Sequence, residues 1–244
     1  MRGVSVEPAP HTDIPTHERL IVALDVPDAD AARGLVEELG DAVGFYKIGL
    51  ELAASGRYFE LLDWLVRQDK RVFADLKLYD VPATVAAAVR QLSGSGASFL
   101  TVHGDRSIME AAAAEKGHLQ ILAVTVLTSM DGEDLRQMGI ELNLESLVMD
   151  RARLAMAAGC DGVIASGLEA APLREALGPE PLIVTPGIRP ANDSSRDDQK
   201  RIVTPGQAFE NGASHIVVGR PIRNAPRPRE TAETIQAEIA AALQ

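Results

Sequence analysis

One cysteine, Cys160, stands alone in 244 residues, so an internal disulfide is excluded and a reducing, cytoplasmic setting is expected. Its small neighbours near a helix end make it a buried small hydrophobe rather than a reactive thiol. No apolar run approaches 18 residues, which excludes a membrane-spanning helix. Residues 1–18 hold prolines and charges but no apolar signal core, so they read as a loose extension ahead of one domain covering 19–244. A basic surface is missing too. The net charge of −11 argues against a nucleic-acid polymer as partner, although a local cluster of cations can still hold a small anion in a cleft. Lysine is scarce: only Lys47, Lys70, Lys77, Lys116 and Lys200 occur, and two of these, Lys47 and Lys77, fall at the ends of apolar runs.

What remains is ordinary for a soluble globular protein: 46% hydrophobic residues suffice for a core, and 24% charged residues argue against disorder. Eight short apolar runs, at 20–24, 45–48, 72–76, 99–102, 121–127, 162–165, 182–184 and 215–218, read as strands buried on both faces. Amphipathic stretches separate them. One is bounded by Asp28 as N-cap and Gly40 as terminator, and another carries Tyr58, Leu61, Leu62 and Leu65 at helical spacing, with Trp64 on the same apolar stripe. The stretch 189–200 is polar and reads as a loop, with Asp197 and Asp198 solvated, followed by a short helix near 205–211. Strand and helix alternating eight times in this length predict a single-domain (β/α)8 barrel of the TIM type.

In that fold the active site lies at the carboxyl ends of the strands, with phosphate often held after the seventh and eighth. The residues that fall there are Asp25, Lys47, Asp75, Lys77, Asp80, His103, Thr128, Ser166, Arg189 and Arg220. Asp75 and Lys77 alternate on one strand and should share a face. Two charges on a buried strand are unfavourable unless they pair or do chemistry. Lys47, Asp75, Lys77 and Asp80 alternate in sign, an arrangement that keeps ammonium groups protonated and suits proton donation rather than Schiff-base chemistry. Gly187 with Arg189, and Gly219 with Arg220, read as a phosphate site, because glycine lets backbone amides approach an anion and arginine forks onto it. His103 reads as a hydrogen-bonded packing histidine, and the other four histidines show no ligand spacing, so no metal site is expected.

The segment Phe73-Ala74-Asp75-Leu76-Lys77-Leu78-Tyr79-Asp80-Val81-Pro82-Ala83-Thr84 resembles the signature of the orotidine 5′-phosphate decarboxylase family. Ile21-Val22-Ala23-Leu24-Asp25, Tyr46-Lys47-Ile48-Gly49, the run from Val124 to Ser129, Thr185-Pro186-Gly187-Ile188-Arg189 and Val217-Val218-Gly219-Arg220 extend the resemblance from about Leu20 onward, in the compact bacterial form. The resemblance implies conversion of orotidine 5′-monophosphate to uridine 5′-monophosphate and carbon dioxide, the last step of pyrimidine synthesis, without metal or organic cofactor. It assigns Lys77 as proton donor to C6, Asp75 to the substrate carboxylate, Asp25 and Lys47 to the ribose hydroxyls and the charge array, and Thr128 to the pyrimidine. Arg189, Gln199, Gly219 and Arg220 match phosphate positions, while Asp80 and Thr84 would reach the neighbouring subunit's site in a homodimer.

The pattern Asp-x-Lys-x-x-Asp also resembles the magnesium-dependent 3-keto-gulonate 6-phosphate decarboxylases and hexulose phosphate synthases. Those carry an acidic residue on the second strand, where this chain has Lys47, whose charge would repel the metal. A non-catalytic phosphate-binding barrel is a further reading, and nothing in the sequence favours it.

Overall fold

A computed structural model describes residues 14–190 and 201–244. Eight parallel strands follow one another around a closed barrel: β1 (Leu20–Ala23), β2 (Phe45–Ile48), β3 (Arg71–Leu78), β4 (Phe99–Val102), β5 (Gln120–Val124), β6 (Gly162–Ile164), β7 (Leu182–Thr185) and β8 (His215–Val218). β8 closes onto β1, with Leu20 opposite Ile216. The apolar runs become strands because every residue in β1, β4, β7 and β8 is buried between an inner and an outer layer.

The outer layer is helical. α1 (Ala29–Leu39) begins where the Asp28 carboxylate accepts from the Asp30 and Ala31 amides and ends at Gly40, whose φ of 57° suits glycine. α2 (Leu50–Ala54) and α3 (Tyr58–Arg67) follow β2. α4 (Pro82–Ser93) and α5 (Arg106–Ala114) follow β3 and β4. α6 (Gly132–Gln137) and α7 (Leu144–Ala157) follow β5, and α8 (Ala170–Leu177) follows β6. α9 (Pro205–Glu210) follows β7, and α10 (Arg220–Arg223) and α11 (Pro228–Ala242) complete the chain. Trp64 sits on the α3 stripe but is only partly buried, with the Arg33 guanidinium 5.5 Å from its ring centroid.

Inside the barrel, Phe45, Phe73 and Phe99 meet with centroids 4.9 and 5.9 Å apart and fill the lower interior. Alternation then sets the next inward positions. Lys47 and Asp75 lie two residues beyond Phe45 and Phe73, on the same faces, and stand above this apolar floor. The opposite end is closed in part by residues 14–18, the described portion of the expected extension: Ile14 packs against the interior cluster and Glu18 pairs with Arg71. Those residues are therefore docked rather than loose.

Two strand ends differ from the sequence expectation. β3 runs on to Leu78 through a register shift: the three residues between Ala74 and Leu78 oppose a single residue of β4, Thr101, between Leu100 and Val102. β5 stops at Val124 although the apolar run continues to Leu127. Thr125 still reaches β6, its amide and hydroxyl donating to the Ile164 carbonyl at 3.3 and 2.8 Å, but its own carbonyl accepts from Arg151 at 2.6 Å, and the Val126 and Leu127 carbonyls accept from Arg201.

Candidate active site

A cavity of about 470 Å³ opens at the carboxyl ends of the strands. Its walls carry Asp25 after β1, Lys47 on β2, Asp75 and Lys77 on β3, Thr128 and Ser129 after β5, Gly187 and Arg189 after β7, and Gly219, Arg220 and Arg223 after β8. Phe73, Val124, Ile164 and Val217 give it an apolar floor.

Four charges form a chain of alternating sign across this floor. Lys47 Nζ lies 3.0 Å from Asp25 Oδ1 and 3.3 Å from Asp75 Oδ2, and Lys77 Nζ donates to Asp75 Oδ1 at 2.7 Å. The sequence placed Asp80 in this group. In the single chain that place is taken by Asp25, while Asp80 is exposed, accepts from the Val81 amide at 2.6 Å, and lies outside the cavity lining. Thr84 is exposed on α4 and is likewise outside it.

Burial works against both central charges, and the neighbours decide the outcome. Desolvation alone would lower the Lys47 pKa, but Asp75 and Asp25 outweigh it and hold the ammonium above the ordinary lysine value. Desolvation alone would raise Asp75, but Lys47, Lys77 and the Thr101 hydroxyl hold its carboxyl below the ordinary range. Lys47 and Asp75, the two central members, are thus both held in their charged forms at neutral pH.

Asp75 and Lys77 do meet, as expected, but not through simple strand alternation. Lys77 has φ 46°, a left-handed conformation rare for a residue with a side chain, and it lies inside the β3 register shift. Its amide donates to Thr101 Oγ1 at 2.9 Å, and the same hydroxyl donates to Asp75 Oδ1 at 2.8 Å. Sequence reading passed over Thr101 as part of an apolar strand. The available signal was a hydroxyl on a strand buried on both faces, where a polar group needs a partner.

The basic side of the cavity is formed by Arg189, Arg220 and Arg223 with Gly187 and Gly219. Gly187 has φ 76°, which the tight turn after β7 requires. Arg223, one helical turn beyond Arg220, was not singled out from the sequence, although its spacing from Arg220 places both on one side of α10. Gln199 and the acidic pair Asp197 and Asp198 lie outside the described residues. Of the polar loop 189–200 only residues 189 and 190 are described. Just past it, buried Arg201 pairs with buried Glu169, whose carboxylate also accepts from the Ser166 amide at 2.8 Å. That pair ties the loops after β5, β6 and β7 together. His103 is half-buried, and burial, aided by Arg151 and Lys77, lowers its pKa. It packs edge-on against Tyr79 at 5.7 Å and does not line the cavity. Among the described residues no group of three or more His, Cys, Asp or Glu could hold a metal ion, and no helix is long and apolar enough to cross a membrane.

Comparison with known proteins gives a consistent result. Orotidine 5′-phosphate decarboxylase of Methylococcus capsulatus is 58% identical over 226 residues, covering 93% of each chain. That of Xanthomonas axonopodis pv. citri is 57% identical over 229 residues, covering 93% of this chain and 94% of its own. The crystal structure of orotidine 5′-phosphate decarboxylase from Lactobacillus acidophilus superposes with a TM-score of 0.80 at 36% identity, covering 91% of this chain and 99% of that one. Residues 18–235 match the family model described as Orotidine 5'-phosphate decarboxylase / HUMPS family, and the chain belongs to that family.

Proposed function

We propose that the chain decarboxylates orotidine 5′-monophosphate to uridine 5′-monophosphate in pyrimidine biosynthesis, as a carboxy-lyase. The observation that carries this reading is the Asp25–Lys47–Asp75–Lys77 array, set on an apolar floor and facing an arginine-lined wall. The substrate phosphate would lie against Arg189, Gly219 and Arg220, with Gln199 as a further contact. The pyrimidine would reach Thr128, and the ribose hydroxyls Asp25 and Lys47.

When the bond from C6 to the carboxylate breaks, its electron pair stays on C6 and carbon dioxide leaves. The ammonium of Lys77 stabilises that charge and donates the proton that forms the C6–H bond, and Lys77 then takes a proton from water. Fixed charge in a water-poor site acts strongly on a developing carbanion. Asp75 beside the substrate carboxylate is a like-charge contact that vanishes on decarboxylation, worth at most about 4 kcal/mol at ~4 Å and an effective dielectric near 20, with Lys47 and Lys77 offsetting it. Phosphate binding far from C6 orients the ring and serves the barrier indirectly.

The magnesium-dependent alternative is disfavoured because Lys47 Nζ bridges Asp25 and Asp75, the space a divalent cation would need. The test is the loss of orotidine 5′-monophosphate absorbance with purified protein, with and without EDTA. Equal rates support the reading. No turnover, or turnover that EDTA abolishes and magnesium restores, defeats it.

The active unit would be a homodimer working in the cytoplasm, each chain one barrel domain over residues 19–244. Asp80 and Thr84 stand outside their own cavity, and Asp80 is flanked by Tyr79 and Val81, exposed at 68% and 62%. Such an apolar rim suits burial against a second copy. Mixing Asp75→Asn subunits with Asp80→Asn subunits should then recover activity, since one site per heterodimer escapes both substitutions. Absence of recovery contradicts shared sites.

A further inference from the structure

The structure assigns Thr101 as a positioning residue for the proposed proton donor: it holds Lys77 in its left-handed backbone conformation and joins that backbone to the Asp75 carboxylate. The inference deepens the decarboxylase reading and rests on it for its kinetic consequences.

The argument begins with the β3–β4 ladder. Pairing runs from Phe73 opposite Phe99 to Ala74 opposite Leu100, then resumes at Leu78 opposite Val102. Two extra residues of β3 must be accommodated between these points, and the Lys77 amide has no place in the ladder. An amide in a buried strand needs an acceptor. Thr101 lies on β4 between Leu100 and Val102, opposite the gap, and its hydroxyl supplies that acceptor at 2.9 Å.

The hydroxyl proton is then directed to Asp75 Oδ1 at 2.8 Å, the oxygen that also accepts from Lys77 Nζ at 2.7 Å. The path leaves Lys77 at its amide, passes through Thr101 and Asp75, and returns to Lys77 at its ammonium. Each link fixes the next. The amide bond holds the backbone turn that aims the side chain, and the carboxylate, fixed by the hydroxyl, holds the ammonium where that turn delivers it.

Thr101 is fully buried, so water does not substitute for its hydroxyl. Left-handed residues with side chains are strained and persist where their surroundings over-determine them. Among the described residues only Asp69, with φ 54° in the turn after α3, shares that conformation. Lys77 alone has it inside a strand. Valine at position 101 would fill the same space yet neither accept from the amide nor donate to Asp75, and an unanchored proton donor loses rate sharply, since misplacement by about 1 Å lowers rates on the order of 10²-fold.

The experiment compares Thr101→Val and Thr101→Ser with the unaltered protein in orotidine 5′-monophosphate turnover. Thr101→Val should lower kcat roughly 10²-fold with KM little changed, because the phosphate wall is untouched, and Thr101→Ser should restore most of it. Unchanged kcat in Thr101→Val overturns the assignment. So does a matched rise in KM, or failure of serine to rescue.

A second measurement needs neither substrate nor a folded valine variant. Hydrogen exchange at the Lys77 amide of the unaltered protein should be as slow as at neighbouring core strand amides, and rapid exchange there overturns the assignment. If the unaltered protein turns over no orotidine 5′-monophosphate, the decarboxylase reading fails by itself, and the exchange result still decides the role of Thr101.

Discussion

Replacing Lys47 with methionine removes the central cation of the array while keeping the length of its side chain. The two contacts it breaks are unequal. Lys47 and Asp75 are each 12% exposed and 3.3 Å apart, so their attraction at an effective dielectric near 20 is about 5 kcal/mol before desolvation is counted. Desolvation of the ammonium offsets part of that, and breaking one partner of a buried pair typically destabilises by about 3–5 kcal/mol. Asp25 is 45% exposed, so its contact with Lys47 is screened by water and adds at most about 1 kcal/mol.

Asp75 keeps Lys77 and Thr101 in Lys47→Met, which places the expected loss at the lower end, near 3 kcal/mol. For a chain of this size that is roughly 6–12 °C in Tm. Thermal melts at pH 7 check it, and Lys47→Met combined with Asp75→Asn sharpens it. Removing both charges should recover part of the stability lost in Lys47→Met, because no uncompensated buried carboxylate remains. A loss below about 1 kcal/mol, or strict additivity of the two substitutions, would refute the view that Lys47 is held by its pairing with Asp75.

Other expectations follow from the same geometry. Arg220→Ala should raise KM for orotidine 5′-monophosphate roughly 10- to 150-fold, the equivalent of a charge-assisted hydrogen bond of about 1.5–3 kcal/mol, and leave the weak turnover of orotidine itself unchanged. Equal losses for both substrates would remove Arg220 from the phosphate site. The pH dependence of stability has a defined sign at each end. Asp75 has a lowered pKa in the fold, so its contribution is complete above the unfolded carboxyl value near ~3.9 and is lost as pH falls through the lower folded value. Lys47 has a raised pKa, so its contribution is complete below the unfolded value near ~10.4 and is lost as pH rises through the higher folded value. The stability difference between the unaltered protein and Lys47→Met should therefore stay flat from about pH 5 to pH 10, and a steep change near neutrality would contradict it.

The barrel was legible in the sequence because parallel strands covered on both faces leave unbroken apolar runs, and all eight runs became strands. Asp28 and Gly40 were legible because capping is local chemistry. The end of β5 was not, since Val126 and Leu127 look like strand residues, yet their carbonyls accept from Arg201, far along the chain, and that of Leu127 also from the Met130 amide in the turn that follows. In the site, Asp25, Lys47, Asp75 and Lys77 were named from their places at strand ends, and the four meet. The bend at Lys77 was hidden because a register shift is a property of two strands together, and a single threonine in the run 99–102 has no periodicity to announce it. The Arg201–Glu169 pair was hidden for the same reason, lying on loops brought together only by the closed barrel.

The central claim, that Lys77 in this array delivers the proton as carbon dioxide leaves, is tested most directly by following orotidine 5′-monophosphate absorbance with the unaltered protein and Lys77→Ala side by side. Decarboxylation by the unaltered protein and its loss in a folded Lys77→Ala that still binds uridine 5′-monophosphate is the predicted result. Substantial turnover by Lys77→Ala would contradict it.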